Sequence, residues 1–484
     1  MSSTGDREAT GTTELAPEAS EVPANSTVNR RQGFGQGFLD TISTGWADRP
    51  EVHPPAREQA AYAARRRDAV SAAFPGERLV VPAGPYRVRS NDTDYPFRAH
   101  SAFAHLTGWA SDSVPDSLLV FDPRTEGDAL GHDVTLYFRE RADRTTAEFY
   151  ANPSIGEFWI GPRPAREGVA SDLGVATAHI DAFAPTDADL VVDEDADLTR
   201  FVSELRLHKD EYEVAQLQLA VDVTADGFDD IVANLPRIIE HPRGERIVEG
   251  VFHQRARTDG NGEGYDTIAA SGPHACYLHW TRNDGAVAPG DLILIDAGVE
   301  VDSLYTADIT RTIPVSGTFT DVQRRVYEAV REAADAAFQA ARPGAKFSEL
   351  NAAAWKVIAH RVAEWGFLPV SAEESLDPVN GHHHRRYMVH GTSHHLGLDV
   401  HDCAQARREL YAGGTLEPGM VFTIEPGLYF QIDDLTVPEE YRGIGVRIED
   451  DILMTPDGPV NLSSAIPRTA DEVEAWVSRL SDTR

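Results

Sequence analysis

Residues 291–296 read Asp-Leu-Ile-Leu-Ile-Asp, and residues 306–313 read Thr-Ala-Asp-Ile-Thr-Arg-Thr-Ile. Each is a β-branched, strand-length run. Each also puts a carboxylate, Asp296 or Asp308, where an apolar core residue is expected. Two carboxylates on neighbouring strands repel unless a cation lies between them. The pattern recurs in Val421-Phe-Thr-Ile-Glu425-Pro-Gly and in Val446-Arg-Ile-Glu449-Asp-Asp. One such acid reads most simply as a solvated strand end. Four of them in one domain do not, because an unpaired buried charge is costly.

Imidazoles accompany the acids. Residues 390–401 read His-Gly-Thr-Ser-His-His-Leu-Gly-Leu-Asp-Val-His. His390 and His394 have the spacing of a helical zinc-peptidase pair, but Gly391, Gly397 and the lack of a Glu after His390 argue against that helix. A lone His is ordinarily a satisfied surface or core residue. Four within twelve residues, in the domain that holds the acidic strands, point instead to a metal site. The run His382-His383-His384, beside Arg385 and Arg386, reads as an exposed loop without a role. Four carboxylates with one imidazole form a hard donor set, better suited to Mn²⁺, Mg²⁺, Co²⁺, Fe²⁺ or Zn²⁺ than to copper. Four negative charges balance two divalent ions, and two such ions can deprotonate a shared water at neutral pH. The chemistry that follows is hydrolysis.

Around this centre, 211–235 reads as a long amphipathic helix. Thr320 opens another, with Gln323 placed for a capping box and Pro343-Gly344 as its stop, and a third spans 348–366. β-rich blocks are expected at 291–315, 388–400, 420–430 and 443–454. Helices separate from β blocks here, so the half from 204 to 480 reads as α+β. The N-terminal half alternates a helix at 59–74 with strands at 78–81, 117–121 and 134–138. It reads as a smaller α/β domain over 45–195, left through the acidic stretch Asp187–Asp197. Residues 1–30 are rich in Ser, Thr, Glu, Ala and Pro and read as a disordered tail.

Composition bounds the rest. The chain has 484 residues, 78 acidic and 44 basic, for a formal charge of −34. That length fits two domains, and the acidity argues against nucleic acid or an anionic membrane as the main partner. Only three of the basic residues are Lys (Lys209, Lys346 and Lys356), which reads as a compositional bias of the genome. Two cysteines, Cys276 and Cys403, cannot build a disulfide framework or a Cys-based zinc site. With no apolar run of membrane-spanning length and no secretion signal in view, the chain reads as cytoplasmic.

These blocks resemble the pita-bread metallopeptidases, specifically the aminopeptidase P (Xaa-Pro aminopeptidase) family. The matching stretches are IDAGVEVDSLYTADITRTIPVSG, HGTSHHLGLDVHD, GMVFTIEPGLYF and VPEEYRGIGVRIEDD, with SGPHACYLHW and RSNDTDYPFRAHSAFAHLTGW further forward. The resemblance implies a C-terminal pita-bread domain behind a smaller N-terminal one. Its implied metal ligands are Asp296, Asp308, His394, Glu425 and Glu449, with Asp296 on one ion, His394 on the other, and Asp308 and Glu449 bridging. Glu425 would also shuttle the proton. His279, His390 and His401 would hold the substrate and stabilise the oxyanion, with Tyr429 and Arg447 on the proline side of the pocket. It further implies two Mn²⁺ ions per subunit, with Co²⁺ or Zn²⁺ as substitutes, and a homodimer or homotetramer.

The implied substrates are peptides with proline in second position. Proline has a fixed φ and no N–H, so an Xaa–Pro bond cannot dock as an ordinary hydrogen-bonded strand. Prolidase, restricted to Xaa-Pro dipeptides, is the nearest alternative, and a non-catalytic peptide-binding module is a more distant one. Two departures stand out. Eleven residues separate Asp296 from Asp308, one more than the family pattern, which predicts a bulge at the hairpin turn. Ala102 and His105 stand where the family more often has Asp and an aromatic residue.

Overall fold

In the computed structural model, the described residues are 34–481 apart from 92 and 125–130. The expected disordered tail at 1–30 lies outside them. The chain divides into two compact units. The smaller contains the described residues of Met1–Val52 with Pro85–Phe97 and Glu140–Ala165, and the larger contains His53–Gly84, Arg98–Arg139 and the described residues of Arg166–Arg484.

Within the larger unit, helix α1 (Gln59–Ala73) precedes strand β1 (Leu79–Pro82), and α2 (Ser101–Thr107) precedes β2 (Leu118–Pro123) and β3 (His132–Phe138). With β4 (Ala176–His179) and β5 (Leu190–Val191) these strands form one sheet in the order β4-β3-β2-β1-β5. β1, β2 and β3 pair antiparallel, while β4 and β5 join the two edges in parallel. Its core is built of apolar side chains: Leu79, Val81, Leu119, Val120, Phe121, Leu136 and Phe138 are all fully buried. Each such side chain contributes roughly 1.5–3 kcal/mol relative to remaining exposed.

Helix α3 (Ala196–Leu205) leads through a short turn into α4 (Glu211–Ala233). The start of α4 is fixed by a capping box in which Asp210 and Glu213 accept from each other's backbone N–H. After α5 (Gly244–Asp259) comes an antiparallel sheet of β6 (Ile268–Ser271), β7 (Leu292–Ala297) and β8 (Ile309–Pro314), with β7 central. Every residue of β7 and β8 is buried. Helix α6 (Asp321–Ala340) starts at the expected Thr320–Gln323 capping box and packs on α7 (Ser348–Glu364).

The last β elements are β9 (Val421–Ile424), β10 (Gly427–Tyr429), β11 (Gly445–Arg447), β12 (Asp450–Thr455) and β13 (Gly458–Asn461). β9, β12 and β13 form one antiparallel sheet and β10 pairs with β11. Helix α8 (Ala470–Ser481) follows.

Three expectations need correction. Residues 388–400 form no strand. Three backbone bonds lay them along β9 (Glu425 N to Thr392 O, Thr423 N to His394 O, Leu396 N to Val421 O), but only His395–Phe422 makes a bridge. Hydroxyls replace the missing carbonyl acceptors, since His394 N–H donates to Thr423 Oγ1 and His395 N–H to the Tyr411 hydroxyl. The triple histidine is not an exposed loop either. Residues 383–386 form a 3₁₀ turn, and His384 is fully buried with Nδ1 2.9 Å from Ser375 Oγ. Burial lowers its pKa to about 4.

The connection from Asp296 to Asp308, finally, is more than a bulge. It leaves the sheet after Ala297, pairs Val299–Glu300 with Gly262–Glu263, and turns back through Leu304 at φ +69°. Gly298 is required there, because a Cβ would lie 1.7 Å from the Ala307 carbonyl oxygen.

Candidate metal centre

Strand register brings the acids together. In the β7–β8 ladder Asp296 faces Thr310, so Asp308, one residue before β8, lies diagonally beyond it. In the β9–β12 ladder Ile424 faces Asp450, which leaves Glu425 and Glu449 just past the ends of their strands. The loop along β9 adds His394. Its Nε2 lies 3.2 Å from Asp308 Oδ2 and 3.6 Å from Glu425 Oε1. Single donor atoms of Asp308, His394 and Glu449 all fall within 4.8 Å of one another. Asp296 joins them through Tyr265, whose hydroxyl is 2.6 Å from Asp296 Oδ1 and 2.5 Å from Asp308 Oδ1.

The acids of this cluster are close enough to shift one another's protonation. Burial raises the pKa of Asp296, and Asp308 adds to the shift while Arg447 opposes it. Glu449, 2 % exposed, is pushed well up by burial and then by Asp308, Glu425 and Asp296. Glu425 rises to about 7, because burial and the charges of Asp308 and Asp296 outweigh His394 and Arg447. For His394, burial pulls downward, but the hydrogen bond to Asp308 and the charges of Glu425 and Asp308 win and lift it to about 9. The single phenolic proton of Tyr265 can serve only one of its two carboxylates. A hard divalent ion answers that surplus of buried negative charge, and oxygen donors with one imidazole suit it.

The residues expected around the substrate fall into two groups. Arg447 Nη2 binds Asp296 Oδ2, its Nη1 donates to the Tyr429 hydroxyl at 3.2 Å, and that hydroxyl is 2.9 Å from His390 Nε2. His390 Nδ1 is 3.6 Å from Glu425 Oε2. These contacts form one chain from Asp296 to Glu425 along the edge of the acid cluster. Burial, then Arg447 and His279, lower His390 to about 4, so it sits there as a neutral imidazole. Tyr429 is pushed up to about 12 by burial, against the pull of Arg447.

The second group lies at the rim. The ring of His401 packs edge-on to His394 with centroids 4.3 Å apart. Loss of solvent and the His394 charge lower its pKa. His279 is exposed on the loop after β6, near enough for its charge to depress both His390 and His401.

Four further side chains belong to the site and were not singled out in the sequence. Tyr265 is one. Thr310 donates from Oγ1 to Glu449 Oε2 at 2.7 Å and accepts from Arg447 Nε at 3.1 Å. Asp451 Oδ2 accepts from the Asp308 backbone N–H at 3.1 Å. Thr423 holds His394 as described above. Alternation was the usable signal for two of them: 308, 310 and 312 share a face of β8, and 447, 449 and 451 recur with the same period of two. Tyr265 lies outside any strand, and nothing in its local sequence marks it.

Comparison with known proteins agrees with this geometry. Residues 215–456 match the metallopeptidase family M24, and residues 62–196 match the aminopeptidase P N-terminal domain. Xaa-Pro aminopeptidase 1 of Streptomyces coelicolor is 48% identical over 493 residues, covering 96% of this chain and 97% of its own. Xaa-Pro aminopeptidase 2 of the same organism is 50% identical over 461 residues, covering 91% and 96%. Among solved structures, Escherichia coli aminopeptidase P in complex with substrate superposes with a TM-score of 0.74 at 30% identity, over 90% of this chain and 100% of that one. The aminopeptidase PepP of Pseudomonas aeruginosa gives 0.74 at 29% identity, over 88% and 99%. The α+β architecture is therefore the pita-bread one, with the acid-bearing strands in its catalytic part. Buried acids, imidazole loop and near-full-length likeness lead to one conclusion: the chain belongs to the aminopeptidase P family of M24 metallopeptidases.

Proposed function

We propose that the protein is a metal-dependent Xaa-Pro aminopeptidase, releasing the N-terminal residue from peptides with proline in second position. The observation that carries the reading is the convergence of Asp308, His394 and Glu449 donor atoms within 4.8 Å, flanked by Asp296 and Glu425. These five side chains would hold two divalent ions, with Mn²⁺ the expected metal and Co²⁺ or Zn²⁺ as substitutes. When bound, such a pair supplies a water deprotonated at neutral pH and a Lewis acid for the scissile carbonyl.

The chain's own groups do the rest. Glu425, largely buried and 3.6 Å from both His390 and His394, is suited to accept a proton and pass it to the departing proline nitrogen. His401 and His279 would donate to the carbonyl oxygen as charge develops on it, and His390 would help hold the substrate. Tyr429 orients His390, and Arg447 orients Tyr429 while pairing with Asp296. We read 45–195 as the N-terminal domain and 204–480 as the catalytic domain, a division supported by the family matches over 62–196 and 215–456. Among the described residues no helix is long and apolar enough to cross a membrane. A cytoplasmic homodimer or homotetramer acting on peptides is the accompanying expectation, with no nucleic acid or membrane partner.

The deciding experiment loads the purified protein with Mn²⁺ and follows an Xaa-Pro-Yaa tripeptide and an Xaa-Pro dipeptide, each with a chelated control. Metal-dependent release of the first residue from the tripeptide is the expected result. Cleavage of the dipeptide alone would identify a prolidase, and cleavage of neither would leave a binding module.

A further inference from the structure

Beside the imidazole loop lies a cluster of buried charges that includes none of the five expected metal ligands. Lys209 sits in the turn between α3 and α4 with a wholly buried side chain, and its Nζ is 3.3 Å from Asp402 Oδ2. Arg206, from the same turn, donates through Nε to Asp402 Oδ1 at 2.9 Å and lies 3.4 Å from Asp399 Oδ2. Asp402 is 1 % exposed, and both its oxygens are occupied. Its backbone N–H donates to the His395 carbonyl at 2.9 Å, which closes residues 395–402 into a loop. Oδ1 also accepts from the N–H of Cys403, a residue at φ +61°. His394 and His401 stand at the two ends of this closed segment.

Two features indicate that the clamp is shaped for position. The first is Gly397: a Cβ there would lie 2.1 Å from Asp402 Oδ2 and 3.0 Å from Lys209 Cε, so the glycine makes room for the ion pair. The second is the lysine itself. Only three of the 44 basic residues are Lys, and Lys346 and Lys356 are exposed. At the buried position, in a chain that otherwise uses Arg, a compact ammonium occupies the space beside Gly397. Guanidinium is larger and planar and does not substitute for it isosterically.

We propose that Asp402, gripped by Lys209 and Arg206, is a positioning residue that fixes the ring of His401 against the substrate through the adjoining backbone. The proposal rests on the aminopeptidase reading for its kinetic consequence, but the rigidity of the loop can be measured without it. Three variants separate the cases. Lys209→Met keeps the length and removes the charge. Gly397→Ala displaces the Asp402 carboxylate and leaves every charge in place. Lys356→Met, on the exposed face of α7, is the control.

For each variant, steady-state cleavage of the tripeptide is measured with Mn²⁺, together with bound metal per chain by mass spectrometry and backbone hydrogen exchange over 395–403. Lys209→Met and Gly397→Ala are expected to lower kcat at least about tenfold, as displacement of an orienting group by an ångström or less does, with KM changed by less than about twofold. Bound metal stays at the wild-type value. Exchange accelerates at 395–403 and stays unchanged at 292–297, and the control moves nothing. Unchanged exchange at 395–403 would overturn the proposal. So would a lowered melting temperature with wild-type kcat in the folded fraction, since that is structural support alone. If Lys209→Met does not fold, Gly397→Ala decides. If the wild type does not cleave the tripeptide, the aminopeptidase reading falls, and exchange in the loop still judges the clamp.

Discussion

The β1–β5 sheet is buried only in part and the β6–β8 sheet throughout, and the two fill their buried positions with opposite chemistry. In the β1–β5 sheet the buried positions are Leu, Val and Phe with the one exception of His132 at a strand end, and the other polar groups sit at partly exposed sites. In β7 and β8 every residue is buried, and that set includes Asp296, Thr310, Arg311 and Thr312. Arg311 is 0 % exposed, and it donates to the carbonyls of Thr310, Glu449, Ile466 and Pro467 as well as to Asp450. The first sheet turns burial into cohesion. The second holds like charges in a dry place, where each is destabilising until a cation arrives.

That contrast can be broken from either side. The largest effect is expected at Asp308→Asn or Glu425→Gln, which should lower kcat by about a thousandfold or more, comparable to removing a principal electrostatic group from an active site. In the metal-free protein either change also takes a buried partner from His394, so the variants should melt lower than the metal-free wild type. Calorimetry on chelated samples, beside turnover with Mn²⁺, checks both halves. Normal turnover in either variant would sink the metal-centred mechanism.

The reverse is expected in the apolar sheet. Leu119→Ala leaves a cavity at a fully buried site and should cost about 2–5 kcal/mol of stability. Activity per folded molecule should be untouched, so denaturant melts fall while active-site titration and kcat do not.

Third comes acid stability at His384. Its folded pKa, about 4, is depressed below the ordinary 6.5, so the unfolded chain takes up the proton first as pH falls. Stability from this residue is whole above pH 6.5 and drains away between 6.5 and about 4, by about 3 kcal/mol in all. His384→Asn should flatten that limb of a stability-against-pH curve, and an unchanged slope would refute the assignment.

The smallest effect should come from Tyr265→Phe, which removes one hydrogen-bonding group beside Asp296 and Asp308 at a cost of about 1–3 kcal/mol or less. It is best seen as a shift in metal affinity by competition with a chelator. Equal affinity in the two proteins would confine Tyr265 to packing.

Reading the sequence found whatever repeats along the chain. A carboxylate that breaks a β-branched run is visible without coordinates, and so were Asp296, Asp308, Glu425 and Glu449. The capping box at Thr320–Gln323 and the helix expected over 211–235, found at 211–233, were equally local. What stayed hidden depends on neighbours far away in sequence. His384 is buried against Ser375 and Trp355, the latter from a separate helix. Residues 388–400 carry strand-like composition, but side-chain hydroxyls take the places of the carbonyls that would have completed a ladder. Tyr265 reaches the acids from a connecting segment with no periodicity of its own. The resemblance supplied the roles of His279, Tyr429 and Arg447, which spacing alone did not distinguish from their neighbours in the chain.

The excursion between Ala297 and Ile309 has a consequence for how this scaffold can be altered. Six paired residues in β7 and β8 set the offset between Asp296 and Asp308. The intervening loop is tied down separately: Val299–Glu300 pairs with Gly262–Glu263, Glu300 takes bonds from Asn261 and Arg98, and Ser303 donates to Gln216. Its length is thereby uncoupled from the spacing of the acids it joins. Residues inserted between Asp302 and Ser303 should lengthen the loop tip without sliding the strands, which makes this hairpin end a natural place to graft an epitope or a reporter onto a working enzyme.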